Sequence, residues 1–390
     1  MSDSKQTRRA SRLEFRRPFG LLAFVFLSTI IASTRCDLIE NDTAVGFHLG
    51  QSYGTSAAHF TNGTLVNLAK VYAGPEYTAL MQRMVGAPAT PPWRSRFNRV
   101  GYWLSLWRLL RRVLGLPPTD ESAVLAGLVA ALKAESEAAL GSPITIVSVT
   151  APWVAAWEDD IPVDSVVNDA LTSAGLEPWT WESTWPIYLG ETNAVLAANG
   201  RRHCRKRWCG VLEGSDLWPN ITYLISFTNQ SLYTSFQPTE CFFFSAWANR
   251  LASIDTNYGL HKLDEAATPA LFWDALRIHL LARVAEFTKT RSYTYAALTV
   301  LTAGEAADHP DFLDVVRDVA KEIPRVRSDH GATRKHEAEV VVSDDPTYAA
   351  AHGSAFWLRT RMDWSYCEGV DDDDETVSQD NLDRGSHTEL

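Results

Sequence analysis

Much that would declare the chemistry of this chain is missing from it. Its 390 residues contain no H-E-x-x-H metal pair and no G-x-x-x-x-G-K-[ST] phosphate loop. The ten histidines are scattered without metal-ligand spacing. Positive charge is not in excess: the net charge of −11 argues against a general nucleic-acid binder. Cysteine is scarce, with five residues and no C-x-x-C pair, which speaks against a zinc framework. Cys204 and Cys209 flank the basic loop CRKRWC, where a disulfide is expected in an oxidising compartment. The odd count leaves at least one thiol free or intermolecular.

What is present points to a globular protein of two lobes. The length suffices for large cores, the apolar fraction is 46%, and fourteen tryptophans supply aromatic mass. The start is basic (Lys5, Arg8, Arg9, Arg12, Arg16, Arg17) and then runs uncharged through PFGLLAFVFLSTIIAST. That order is the secretory pattern, read as a cleaved signal peptide or a retained signal anchor, with a buried core helix as the bland alternative. The uncharged run falls just short of a comfortable membrane span. Four N-x-S/T sequons, at Asn41, Asn62, Asn220 and Asn229, follow it. The expected location is the secretory pathway: endoplasmic reticulum lumen, secreted, or anchored by one pass. At the other end, Glu368 to Leu390 carries DDDDE and no apolar periodicity, the signature of a solvated acidic tail.

Between these ends, strands and helices alternate. AVGFHLGQSYGTSAAHF (Ala44–Phe60) reads as strand, glycine turn, strand. Its turn offers N–H groups and hydroxyls that suit a phosphate, with His48 where a carboxylate would be wanted. A helical pattern is expected around Leu65–Met84. The basic, apolar stretch Arg94–Leu116 reads as a helix packing its Trp and Leu face inward, with a membrane-surface helix as alternative. Thr119 caps a helix with the stripe Leu125, Leu128, Val129, Leu132, stopped by Gly141 and Pro143. ITIVSVTAP reads as a buried strand closed by Pro152, followed by a helix over about Val163–Ala174. The paired carboxylates of WEDDIP, from Trp157, read as a solvated helix start. The second half repeats the theme. ITYLISFTNQSLYTSF is again strand, turn, strand; a long helix starts at Thr268 and Pro269 with Phe272, Leu276, Leu280 and Val284 on one face. Next come a strand, a glycine loop, a helix opened by Asp308 and Pro310, the strand AEVVVS and an alanine-rich helix. Two such halves imply two α/β lobes facing each other, with ligands at the loops between them.

Taken in order, these segments resemble the actin-like ATPase superfamily, in particular the nucleotide-binding half of the seventy-kilodalton heat-shock chaperones. The likeness spans roughly Ala44 to Arg361. VGFHLGQSYGTSAA is similar to the first phosphate hairpin, and YLISFTNQSLYTSF stands where the second belongs. ALTSAGLEPWTWESTWPIYLGETNAVLAANG resembles the stretch between the family's A-G-L and E-P-T-A-A-A motifs. LTVLTAGEAADHPDF resembles the adenosine loop and DDPTYAAAHGSAF the closing helix. The implied fold is α/β: a two-lobed actin-like ATPase (duplicated ribonuclease-H-like) fold with an N-terminal hydrophobic targeting segment. The implied division is 1–34 targeting segment, 44–195 first lobe, 196–345 second lobe, 346–365 closing helix and 366–390 tail.

The resemblance also implies a site. Gly50, Gln51, Ser52 and Tyr53 would line the phosphate loop, Ser231 would stand for the phosphate-contacting Thr, and Gly304 and Glu305 would face base and ribose. Glu191 falls on the Glu that positions metal-bound water, here as a catalytic vestige. The departures are as informative. His48 and Ser226 replace the two Asp that organise magnesium, Thr228, Asn229 and Gln230 replace three glycines, and Ala303 replaces one more. ATP is thus the candidate ligand with weak binding expected, magnesium is disfavoured, and no metal ligands are assigned. The expectation is a degenerate nucleotide-binding domain acting on an unidentified protein partner, with a weak ATPase as the alternative and an unrelated hydrolase as a third reading. No peptide-binding β-domain is read after the closing helix.

Overall fold

A computed structural model describes residues 43–87, 110–111, 119–154, 157, 165–177, 188–200, 221–238, 251–290, 298–323 and 338–362. The targeting segment, the CRKRWC loop, most of Arg94–Leu116, the carboxylates of WEDDIP and the acidic tail lie outside them. Among the described residues no helix is long and apolar enough to cross a membrane.

The strands are β1 (Thr43–Leu49), β2 (Tyr53–Phe60), β3 (Leu65–Tyr72), β4 (Ser148–Ala151), β5 (Leu189–Gly190), β6 (Ile221–Phe227), β7 (Leu232–Pro238), β8 (Ser253–Asp255), β9 (Leu298–Ala303) and β10 (Glu339–Val342). The helices are α1 (Pro75–Val85), α2 (Asp120–Leu140), α3 (Val166–Ser173), α4 (Glu191–Ala198), α5 (Pro269–Thr290), α6 (Pro310–Glu322) and α7 (Ala349–Met362). They build two five-stranded sheets, ordered β3-β2-β1-β4-β5 and β10-β9-β6-β7-β8. Read from the other edge, the second order repeats the first. In each sheet the first strand is central, with an antiparallel meander on one side. Parallel strands continue the sheet on the other side. The helices follow the same repeat: α2 and α5 bridge third to fourth strand, α3 and α6 fourth to fifth, and α4 and α7 follow the fifth. Among the described elements, α1 is the α-helix without a counterpart. The chain is therefore a mixed α/β protein with an internally duplicated architecture.

The sequence explains the elements. Every residue of β6 is buried, as expected of a strand covered on both faces. Thr119 accepts from the Ser122 N–H, the Ser122 hydroxyl accepts from the Thr119 N–H, and Gly141 ends α2 in the left-handed region at φ 69°. Phe272, Leu276, Leu280 and Val284 all point from α5 into the second core. There Tyr223 stacks on Phe236 and Phe236 on Phe287, each pair at 4.2 Å.

Three expectations need correction. Residues 65–72 form strand β3 rather than the start of a helix, because Val66, Val71 and Tyr72 favour a pleated surface and β2 supplies a partner. Helical structure begins only at Pro75. The strand read from ITIVSVTAP is confined to Ser148–Ala151. Helix α6 is capped by the backbone of His309, with no side-chain cap from Asp308.

The last helix of each half crosses to the other half. Helix α4 follows β5, yet its Thr192 hydroxyl lies 3.0 Å from that of Ser235 on β7. At its end, Asn199 donates to the Ser343 hydroxyl at 2.8 Å. Helix α7 follows β10 and packs beneath β1. The Ser354 and Ser148 hydroxyls lie 2.8 Å apart, and Arg359 donates to the His59 carbonyl at 2.7 Å. The two helices touch where they cross. A Cβ on Gly353 would lie 1.8 Å from the Ala194 carbonyl oxygen, and one on Gly46 would lie 2.2 Å from the Ala355 nitrogen. Both obstacles are backbone, so neither can rotate away. Gly353→Ala is expected to destabilise by about 3 kcal/mol or more, the upper range for overpacking. Urea unfolding measures it, and a cost no larger than that of Gly127→Ala on the open face of α2 would contradict this packing.

Candidate functional site

In open α/β sheets, ligand sites gather at the carboxyl ends of strands where the strand order reverses. Here those points are the turns after β1 and β6, each flanked by an antiparallel and a parallel neighbour. The two turns are built alike. Gly50 N–H donates to the Tyr53 carbonyl at 2.9 Å, and Thr228 N–H donates to the Ser231 carbonyl at 2.9 Å. The registers His48↔Thr55 and Ser226↔Tyr233 complete the match, so His48 and Ser226 are structural equivalents. Gly50 is required where it stands: a Cβ would come within 2.8 Å of the Tyr53 carbonyl oxygen and 2.9 Å of the His48 ring. Its counterpart Thr228 carries a side chain that does the turn's bonding. The Thr228 hydroxyl accepts from the N–H groups of Ser231 at 3.0 Å and Gln230 at 3.2 Å.

The turns bond to each other. The Gln51 amide donates to the Ser226 carbonyl at 3.0 Å and to the Ser231 carbonyl at 3.3 Å. The Ser52 hydroxyl donates to the Thr228 hydroxyl at 3.3 Å. Gln51, Ser52, Thr228 and Ser231 are all about 1% exposed or less, so this seam is closed to bulk water. Each turn is also braced from behind. Tyr77 donates to the Gly50 carbonyl at 2.8 Å, and Leu260 and His261 N–H groups hold the carbonyls of Thr228 and Asn229. Residues 50–54 also spell G-x-S-x-G, a motif that sequence reasoning wrongly took to be absent. The structure gives it no nucleophile elbow: the segment is a hairpin rather than strand–turn–helix, and the Ser52 hydroxyl is spent on Thr228.

Beneath the seam lies Glu191, the first residue of α4, where a carboxylate suits the helix dipole. Its Oε2 lies 3.5 Å from His48 Nε2, and both side chains are buried. Seven polar atoms here have no hydrogen-bond partner among the described residues: both His48 ring nitrogens, both Glu191 oxygens, Gln51 Oε1, the Tyr53 hydroxyl and Thr55 Oγ1. Burial, and then the Glu191 charge, push the Tyr53 and Tyr77 hydroxyls well above the usual phenol range. Tyr233 shifts the same way for the same two reasons, and its oxygen accepts from Trp153 N–H at 2.9 Å. Among the described residues no three His, Cys, Asp or Glu side chains come together in a metal-binding group.

Gly304 and Glu305 lie beside the second turn. Gly304 has φ +101°, and a Cβ would strike the Phe227 carbonyl, because this loop crosses the end of β6. Glu305 forms an ion pair with Lys70 on β3 and accepts from Tyr72 at 3.1 Å and from Asn229 N–H at 3.1 Å. A second tie lies next to it: Asn67 donates to Asp345 at 2.8 Å and lies 2.6 Å from His352 Nε2. The structure thus brings Gln51, Ser52 and Ser231 into one seam, sets Tyr53 and Glu191 below it, and sets Gly304 and Glu305 at its edge. Sequence reasoning missed Lys70, Tyr72, Tyr77 and Tyr233. Lys70 was detectable as the one charge in LVNLAKVY, whereas nothing marks the tyrosines.

No protein family matches the sequence, and no curated protein does. Among solved structures, the ethanolamine utilization protein EutJ of Carboxydothermus hydrogenoformans is similar at 12% identity and a TM-score of 0.41, over 80% of this chain and 89% of that one. At those values it fixes neither fold nor function. The chain's own strand order defines its class: a duplicated α/β protein whose two halves are joined turn to turn.

Two outcomes test this geometry. Gln51→Ala removes a buried donor from two carbonyls and is expected to cost about 1–3 kcal/mol. Gln51→Glu should cost more, because it sets a carboxylate against the same oxygens. Urea unfolding ranks them, and a neutral Gln51→Glu would contradict the seam. For Lys70, burial opposes the charge, but the bonds to Glu305 and Tyr72 and the Glu305 charge outweigh it and hold its pKa above the ordinary lysine value. A raised folded pKa stabilises below the unfolded value and is lost as pH rises through the folded one. Lys70→Met should therefore destabilise at neutral pH, by about 1 kcal/mol for a partly exposed pair. The difference should shrink as pH rises through the strongly alkaline range.

Proposed function

We propose that this chain is a degenerate actin-like nucleotide-binding domain of the heat-shock chaperone type, without efficient ATP hydrolysis, acting as an interaction or regulatory protein in the secretory pathway. The observation that carries the reading is the seam. In the family it resembles, the two hairpins hold phosphates between them. Here Gln51 and Ser52 of one hairpin hydrogen-bond directly to Ser226, Thr228 and Ser231 of the other. The donor set beneath also fits magnesium poorly. That hard cation takes carboxylate and water oxygens, and the two positions that would organise it are an imidazole and a hydroxyl. Phosphoryl transfer relies on positioned metal and on stabilisation of spreading negative charge, and Glu191 alone supplies neither. The secretory assignment rests on the basic-then-apolar start and the sequons.

One observation favours a second reading, a weak ATPase. Among the described residues neither Glu191 oxygen has a hydrogen-bond partner, which leaves the carboxylate with lone pairs that could orient water. Hydrolysis by the purified protein separates the two. We expect no magnesium-dependent ATP turnover above background. Magnesium-dependent turnover that Glu191→Ala abolishes would overturn the proposal in favour of the weak ATPase.

A further inference from the structure

We propose that Asn62 is the acceptor of an N-linked glycan that guards the open edge of the first sheet. The inference rests on the secretory reading above and adds a site to it. Asn62, Gly63 and Thr64 form the tip of the β2–β3 turn, and all three positions of this sequon are exposed. The turn is closed by its own backbone, with Phe60 N–H donating to the Thr64 carbonyl at 3.0 Å and Gly63 N–H to the Phe60 carbonyl at 3.0 Å. Gly63 has φ +82° with nothing within 4 Å of where a Cβ would stand, so the space above the turn is open. The asparagine side chain is half committed. Oδ1 accepts from Thr64 N–H at 2.9 Å, while Nδ2, the atom that takes the sugar, makes no hydrogen bond among the described residues. Glycosylation therefore leaves the turn's bonding intact.

Asn229 is differently placed. Its backbone is held by Glu305 and His261, and Ser231, the third position of its sequon, is fully buried within the seam. For the Asn220 sequon, Ile221 and Thr222 are fully buried in β6.

The position of Asn62 also gives the glycan a task. Strand β3 is the edge of its sheet, and an unpaired edge invites pairing with another chain. Most of this edge is already blunted. Leu68 is an extra residue opposite the Ser56–Ala57 step, a bulge, and Asn67, Lys70 and Tyr72 are engaged by Asp345 and Glu305. Among the described residues of β3, Leu65 at 41% and Val66 at 40% exposure are apolar side chains without such a tie, and they directly follow the sequon. A glycan on Asn62 covers this apolar start and blocks edge-to-edge approach.

The test uses the full chain in a eukaryotic host, once with its own start and once behind a foreign cleavable signal. Wild type is compared with Asn62→Gln and with Thr64→Ala, which destroys the sequon but keeps Asn62 and its turn bond. Enzymatic deglycosylation should remove one more glycan step from wild type than from either variant in both arms, and the variants should scatter more light on concentration. Equal steps in wild type and variants behind the foreign signal would overturn the Asn62 site itself. A Thr64→Ala-sensitive step seen only behind the foreign signal would instead overturn the secretory reading, and the native modification with it.

Discussion

The structure depends on the crossing of two helices at Gly353 and Ala194. The backbones meet there so closely that no side chain fits between them. Each helix ends one half of the chain and packs on the other half, so the crossing fixes the two sheets to each other. Once it is set, the turns after β1 and β6 come face to face, and everything at the seam follows from that approach. Gln51 can span to Ser226 and Ser231 only because the turns are already within the reach of one side chain. The alanine-rich composition of α7 is thereby explained by contact, beyond any helix propensity.

Duplication gives the site its internal control. Two turns with the same hydrogen-bond frame have diverged in what they carry. One keeps Gly50 and projects Gln51 across the gap. The other replaces that glycine with Thr228, whose hydroxyl closes its own turn and then receives Ser52. Most polar groups of the two turns are satisfied by one another, which costs little and excludes water, while Gln51 Oε1 has no partner among the described residues. Below them, Glu191 and His48 form a buried pair amid three tyrosines whose protons burial and the Glu191 charge hold in place.

Much of this was legible in the sequence, and the part that was not has physical reasons. The two strand–turn–strand units, the caps of α2, the apolar stripe of α5 and the small-residue character of α7 are local signals and could be read directly. The pairing of His48 with Ser226 came only as an implication of the family resemblance, and it is the registers of the two hairpins that make them equivalent positions. Strand β3 does not read as a strand from sequence because LVNLAKVY alternates poorly, being an edge strand with a bulge at Leu68 whose partner, β2, decides its state. The links from Gln51 to Ser226, from Lys70 to Glu305 and from Asn67 to Asp345 join residues far apart in the chain. No local pattern encodes such pairs, since they exist only after the helix crossing has brought the halves together.

The central claim is that the two turns seal against each other instead of holding a nucleotide. Hydrogen exchange at their amides tests it most directly. The N–H groups of Gly50, Thr228, Gln230 and Ser231 should exchange slowly in the protein alone, and millimolar ATP with magnesium should leave their rates unchanged. Fast exchange at those amides that slows when the nucleotide is added would show an open phosphate site and contradict the account.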